Sequence, residues 1–228
     1  MRKLTKDYFT ILFTKIRYSK ISHIKYLFGW VVYFVLFFLT EKFIPAEICH
    51  SVHCPLDDMV PFYEMFLIPY VLWYILILFT VAYFAVINAE GFKQLQIYFI
   101  TTQLTAIACY ILFPTRQDLR PIIFPRDNLL TDGVRLLYRI DTNTGVCPSM
   151  HAAFSLALVS AWSKEREIHW SWKAFVITAA ISICLSTMFI KQHSMLDVLA
   201  AIPVCLGAEW IAYGRYYRSK YKIRKYTN

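Results

Sequence analysis

The sequence predicts an all-α membrane protein, a bundle of six transmembrane helices with both termini cytoplasmic. Three observations carry that expectation. Of 228 residues, 58% are hydrophobic and 17% charged, and the mean hydropathy is +0.45, well above the balance of a water-soluble domain. The apolar residues gather into runs near the roughly 20 residues that a helix needs to cross the hydrocarbon core. The basic residues between the runs alternate in density, as short loops do on opposite sides of a bilayer.

The first element is expected over residues 1–25, where Leu4, Phe9, Ile11, Leu12, Phe13 and Ile16 are interspersed with lysine and arginine. This is the pattern of an amphipathic helix lying in the membrane interface; no small-residue cleavage site follows it, as a secretory signal would require. Residues 26–213 form the six-span domain. Its spans run Tyr26 to Ile44, Phe66 to Ile87, Leu95 to Phe113, Ser149 to Trp162, Ala174 to Ile190 and Met195 to Tyr213. The fourth is short for a bilayer and is expected to extend through Cys147 or past Ser163. Residues 214–228 make a basic cytoplasmic tail. With the amino terminus inside, 17 of the 24 lysines and arginines fall on the cytoplasmic side and 7 outside, a positive-inside bias. The net charge of +9 then belongs to a rim facing anionic lipid and calls for no nucleic acid.

Between the first two spans, Glu41 to Glu64 holds Cys49, Cys54, Asp57 and Asp58. It reads as a solvated loop, and the outer compartment would permit a Cys49–Cys54 disulfide without requiring it. Cys109, Cys184 and Cys205 fall within spans and read as small packing residues. Tyr70, Trp73 and Tyr74 on the second span read as interfacial anchors. The long outer loop, Thr115 to Val146, carries Arg116, Arg120, Arg126, Arg135 and Arg139, five of the seven outward basic residues. Positive charge concentrated on that side asks for an anion. Arg116 and Arg120 lie four apart beside a span end and are candidate phosphate ligands, because guanidinium matches phosphate oxygens in pairs. The other three are expected to pair with Asp118, Asp127, Asp132 and Asp141.

The remaining chemistry gathers in two stretches. In Cys147-Pro148-Ser149-Met150-His151, Pro148 suits the first turn of a helix, and the free N–H groups of that helix start favour an anion. Ser149 adds a hydroxyl, and His151 can give a proton near neutral pH. Lys191 to Ser194 forms a tight outer turn with a second helix start behind it. There His193 and Asp197, four apart, share one face. A carboxylate that accepts a hydrogen bond from one imidazole nitrogen leaves the other as the better nucleophile. A lone interfacial histidine and an aspartate cap would be the plain alternative. Two histidines, an aspartate and outward arginines on one side outweigh it, since ionisable groups at membrane depth are functional by default.

These residues resemble the type 2 phosphatidic acid phosphatase superfamily, whose blocks are K-x6-R-P, P-S-G-H and S-R-x5-H-x3-D. Arg120-Pro121 matches the end of the first block, Pro148-Ser149-Met150-His151 the second, and Ser186, His193 and Asp197 the third. Three positions depart: Phe113 stands at the family lysine, Met150 at the glycine and Thr187 at the arginine. Blocks altered in this way are similar to the branch containing inositol phosphorylceramide synthases and sphingomyelin synthases, which move a phosphorylated head group between lipids. The resemblance implies an integral membrane lipid phosphatase or phosphotransferase, in the cell membrane with its site on the outer face. His193, oriented by Asp197, would form a phosphohistidine, and His151 would serve as proton donor. Arg116, Arg120, Ser149 and Lys191 would hold phosphate, with Arg116 and Lys191 standing in for the missing lysine and arginine. No metal or cofactor is expected, because fixed cations neutralise the charge. The other reading is a non-catalytic lipid-binding or transport protein that retains the fold.

Overall fold

The computed structural model describes residues 21–227. The interfacial helix expected over residues 1–25 lies outside them except for its last five, which belong to a 3-10 helix, Ile21–Leu27. Eight α-helices follow: α1 (Phe28–Phe43), α2 (Pro55–Met59), α3 (Leu67–Ile87), α4 (Ala89–Leu112), α5 (Leu129–Ile140), α6 (Met150–Lys164), α7 (Trp170–Phe189) and α8 (Met195–Thr227). Two short strands, β1 (His50–Ser51) and β2 (Thr115–Arg116), pair in parallel with His50 opposite Thr115.

Among the described residues, five stretches are long and apolar enough to cross a membrane: Ser22–Phe43, Glu64–Ile87, Ala89–Leu112, Trp170–Phe189 and Met195–Tyr217. They answer to five of the six expected spans. The sixth, α6, has 15 residues, about 22 Å at 1.5 Å per residue, against a hydrocarbon core of about 30 Å. It runs past Ser163 by one residue, to Lys164, and not outward through Cys147, because Ser149 caps one end and Glu165 terminates the other. Its packing removes the need for more length. Ala152, Ala153, Ala157, Leu158, Ala161 and Trp162 are all buried, and α3, α4, α7 and α8 pack around it. Small residues let those neighbours approach closely, and a helix apolar on every side belongs in an interior.

The outer faces tell the complementary story. Phe28, Phe38, Leu78, Leu112, Leu206 and Trp210 are exposed, on helices whose long runs carry almost no charge. Continuous apolar surface of this kind is not tolerated in water by a monomer and suits lipid.

Local signals set the helix limits. The Asn88 side chain accepts from Gly91 N–H at 2.9 Å, so α4 starts at Ala89, six residues before the expected Leu95. Pro148 stands outside α6 rather than in its first turn, and Ser149 is the cap. Helix α8 runs unbroken from Met195 to Thr227, so the expected tail from residue 214 continues the last helix. At the end of the bundle that carries the histidines, the chain between α4 and α6 folds over the core. There the Tyr110 hydroxyl donates to Pro148 O at 2.9 Å and the Tyr138 hydroxyl to Ile190 O at 2.6 Å.

Candidate active site

Helices α6 and α8 begin side by side, joined by a bond from Ser149 N–H to Asp197 O of 2.9 Å. That contact brings together two residues 48 positions apart in the sequence and sets the histidines against each other. His151 Nδ1 and His193 Nε2 are 3.3 Å apart, and His193 Nδ1 is 3.3 Å from Asp197 Oδ2. Asp197 is fully buried, and its Oδ2 also accepts from Ser194 N–H at 2.9 Å. An acceptor at Nδ1 fixes the His193 proton there and leaves Nε2 with its lone pair toward His151. The His151 ring is held between Tyr70 and Trp73, with ring centroids 4.6 and 4.3 Å away. Asp197, His193 and His151 thus form one hydrogen-bonded chain; the spacing predicts only the pairing of His193 with Asp197, and His193 stands in the turn before α8 and not on the helix.

Both histidines open on a cavity of about 660 Å³. Trp30, Tyr33, Phe34 and Phe37 of α1 form one wall, and Trp73, Tyr74, Ile77 and Leu78 of α3 form another. The polar end holds the histidines with Asp141 and Gln192. A concave, mostly apolar chamber with a few converging polar groups is the usual form of a small-molecule site. Tyr74 and Trp73, expected as interfacial anchors, are chamber walls here.

The expected phosphate ligands fare differently from one another. Ser149 is fully buried, and its hydroxyl oxygen accepts from Ala152 N–H at 3.4 Å, so it acts as a helix cap beside the site. Arg120 reaches the site through Gln192, donating to its Oε1 at 2.6 Å, and also donates to the carbonyls of Tyr138, Asp141 and Thr142. Burial pulls its guanidinium below the ordinary value, opposed by Asp141. Arg116 instead pairs with Asp118 at 3.2 Å and with Ala46 O at 3.0 Å, because the β1–β2 pairing draws its strand toward the first loop. Lys191, at φ 55°, donates its Nζ to Asp57 O at 2.9 Å and Val60 O at 2.5 Å. Arg116 and Lys191, expected to stand in for the missing family lysine and arginine, are thus held by Asp118, Ala46, Asp57 and Val60 in this arrangement and make no contact with the histidines. At those family positions, Phe113 stacks on His50 and the Thr187 hydroxyl donates to Cys184 O.

Most of the first loop is exposed, as expected, but Asp57 is an exception. It is 2% exposed and accepts from Ser194 Oγ at 2.6 Å, Met195 N–H at 2.8 Å and Cys54 N–H at 2.8 Å. Burial alone would raise its pKa, but these bonds more than offset it and hold the carboxyl below its ordinary value. The start of α8, expected to face an anion, is therefore already occupied by a carboxylate of the chain. Cys49 and Cys54 are free thiols. Of the loop arginines, Arg135 pairs with Asp127 and Asp132 as expected, whereas Arg126 pairs with Glu64. Among the described residues no three His, Cys, Asp or Glu side chains gather to hold a metal.

With its apolar helices, the chain belongs to the class of helical integral membrane proteins. No family model matches it, and no curated protein or solved structure matches it significantly.

Proposed function

We propose that the chain is a lipid phosphatase or phosphotransferase that works through a phosphohistidine, similar to the type 2 phosphatidic acid phosphatases. In this reading the bundle spans the membrane six times, α6 included, with both termini cytoplasmic and the histidines toward the outer face. The observation that carries the proposal is the Asp197, His193, His151 chain at the polar end of an aromatic-walled cavity.

The reaction follows from the nitrogen atoms. His193 Nε2 attacks phosphorus as the bond to the leaving oxygen breaks, and His151 gives that oxygen its proton. Asp197 retains the Nδ1 proton of His193 and stabilises the charge that develops on the ring. Water or a lipid alcohol then attacks the phosphohistidine, with His151 taking the proton of the incoming hydroxyl. The 3.3 Å contact between the rings leaves no room for phosphorus between them. Substrate must therefore part the two nitrogens as it enters from the cavity. The phosphoryl oxygens fall to the first-turn N–H groups of α6, with Arg120 behind Gln192 as the nearest fixed cation.

Incubating purified protein with lipid labelled in the phosphate is expected to release or transfer label, and to leave acid-labile, base-stable label on the protein. His193→Ala should abolish both, and turnover unchanged in that variant would overturn the proposal. One observation favours the second reading, a non-catalytic lipid-binding protein: Arg116 and Lys191 are committed elsewhere. That reading expects lipid retained by the protein with no label released.

A further inference from the structure

Asp141 caps the end of α5 and lines the polar end of the cavity with both histidines. It lies in none of the sequence blocks that carry the resemblance, and it was expected only to pair with a loop arginine. Its side chain instead turns inward. The Tyr70 hydroxyl and the Gln192 amide both donate to its Oδ2, each at 3.1 Å. Oδ1 receives no hydrogen bond among the described residues, so the carboxylate is held by one oxygen and offers the other.

The surroundings say what that oxygen takes. Arg120, the cation that reaches this end, already donates to three backbone carbonyls and to Gln192. A second carboxylate, Glu41, lies behind the rim, accepting from the hydroxyls of Thr142 and Thr144. A phosphate dianion would face this acidic rim with little countercharge. A phosphodiester has a single negative charge and a substituent beyond phosphorus, and it can bring a donor to Asp141.

The geometry points to Asp141 as a specificity residue that accepts a hydrogen bond from an O–H or N–H group on the substrate's head group, beyond the phosphate. This rests on the phosphoryl-transfer reading of the histidine pair. The bond broken is phosphorus to the diacylglycerol oxygen. The head-group phosphate passes to His193 Nε2, and His151 protonates the departing diacylglycerol.

The test uses the full chain in mixed micelles and measures diacylglycerol released from four lipids. Phosphatidylethanolamine offers N–H and phosphatidylglycerol O–H; phosphatidylcholine offers a cation without N–H, and phosphatidic acid has no head group. The wild type is expected to prefer one of the first two, which identifies the donor. In Asp141→Ala the ratio of that rate to the phosphatidylcholine rate should fall about tenfold, as for loss of one hydrogen bond to a charged group, and Asp141→Glu should recover part of it. No preference in the wild type, or an equal loss on all four lipids, overturns the assignment.

Soluble head groups separate this inference from the reaction it rests on. If no lipid is cleaved, the phosphoryl-transfer reading fails, and binding still decides Asp141. Glycerophosphoethanolamine or glycerophosphoglycerol should then raise the melting temperature of the wild type but not of Asp141→Asn, which keeps the side-chain shape. Equal shifts in the two proteins overturn the role of Asp141.

Discussion

Helices α6 and α8 start within hydrogen-bonding distance of each other, each with a serine and a histidine within two residues of its first residue, yet the two starts are finished in opposite ways. At α6 the cap is the helix's own Ser149, and no carboxylate side chain accepts from the first turn among the described residues. At α8, Asp57 takes Met195 N–H and Asp197 takes Ser194 N–H. A helix start carries partial positive charge and will be met by an anion from somewhere. At α8 that anion belongs to the protein, and its effect is to fix the turn that carries His193. At α6 the proposed reaction assigns that place to the phosphoryl group. In the proposed reaction the nucleophile thus stands at the closed start and the proton donor on the open one.

The largest break in this comparison is expected at His151. His151→Ala should lower turnover of a lipid phosphate by about 10²- to 10⁴-fold, the range of general acid catalysis. It should spare a p-nitrophenyl ester far more, because that leaving group needs no proton. Equal losses on both substrates would remove His151 from the role of proton donor and leave it as a wall of the cavity.

Asp57→Ala attacks the closed start. It strands the Ser194 hydroxyl and the Met195 N–H in a buried place, and should cost about 3 kcal/mol of stability along with much of the turnover. The pH dependence has a definite sign. A carboxyl whose folded pKa is depressed stabilises the fold above its unfolded pKa, and the contribution is lost as pH falls through the folded value. The wild-type melting temperature should therefore exceed that of Asp57→Ala near neutrality, and the gap should close on acidification below about pH 4. A gap that stays constant with pH would show that the Asp57 charge is not what closes α8.

What the sequence made legible follows the range of the interactions. The His193–Asp197 pair was found from its four-residue spacing, although His193 stands in the turn that precedes α8. Ser149 and His151 were found from the helix start that Pro148 marks, and five apolar runs were long enough to announce themselves. Helix α6 lengthens only to Lys164, and its short length was not legible because apolar composition does not distinguish a helix bathed in lipid from one wrapped by four others. Asp57 was read as solvated because its partners lie 137 and 138 residues away, and no local pattern marks a carboxylate that caps a distant helix. Arg116 was drawn toward the site by its four-residue spacing from Arg120, which assumed a helical turn where β2 is extended. Asp141 was paired on paper with an arginine side chain; Arg120 in fact donates to its backbone carbonyl.

Ser149→Ala tests the open start. Removing an N-cap costs about 1 kcal/mol, and here it frees Ala152 N–H beside the site. Turnover should fall by about tenfold or less, far less than for Asp57→Ala. A loss as large as that of His151→Ala would mean that the hydroxyl touches the phosphoryl group and that α6 is not held open by a simple cap.

Arg116→Ala is expected to have the smallest effect, and it separates the two arginines that the sequence treated as equals. Arg116 sits half-exposed in a pair with Asp118 and reaches back only to Ala46 O. Such pairs are worth about 1 kcal/mol or less. Removing it should leave KM for the lipid within about twofold, whereas Arg120→Ala, by releasing Gln192 and the carbonyls of residues 138, 141 and 142, should raise KM and lower kcat together. Equal effects in the two variants would mean that Arg116 leaves Asp118 when substrate arrives. The long loop would then close on the open start of α6, carrying to it the cation that the lipid-free arrangement keeps away.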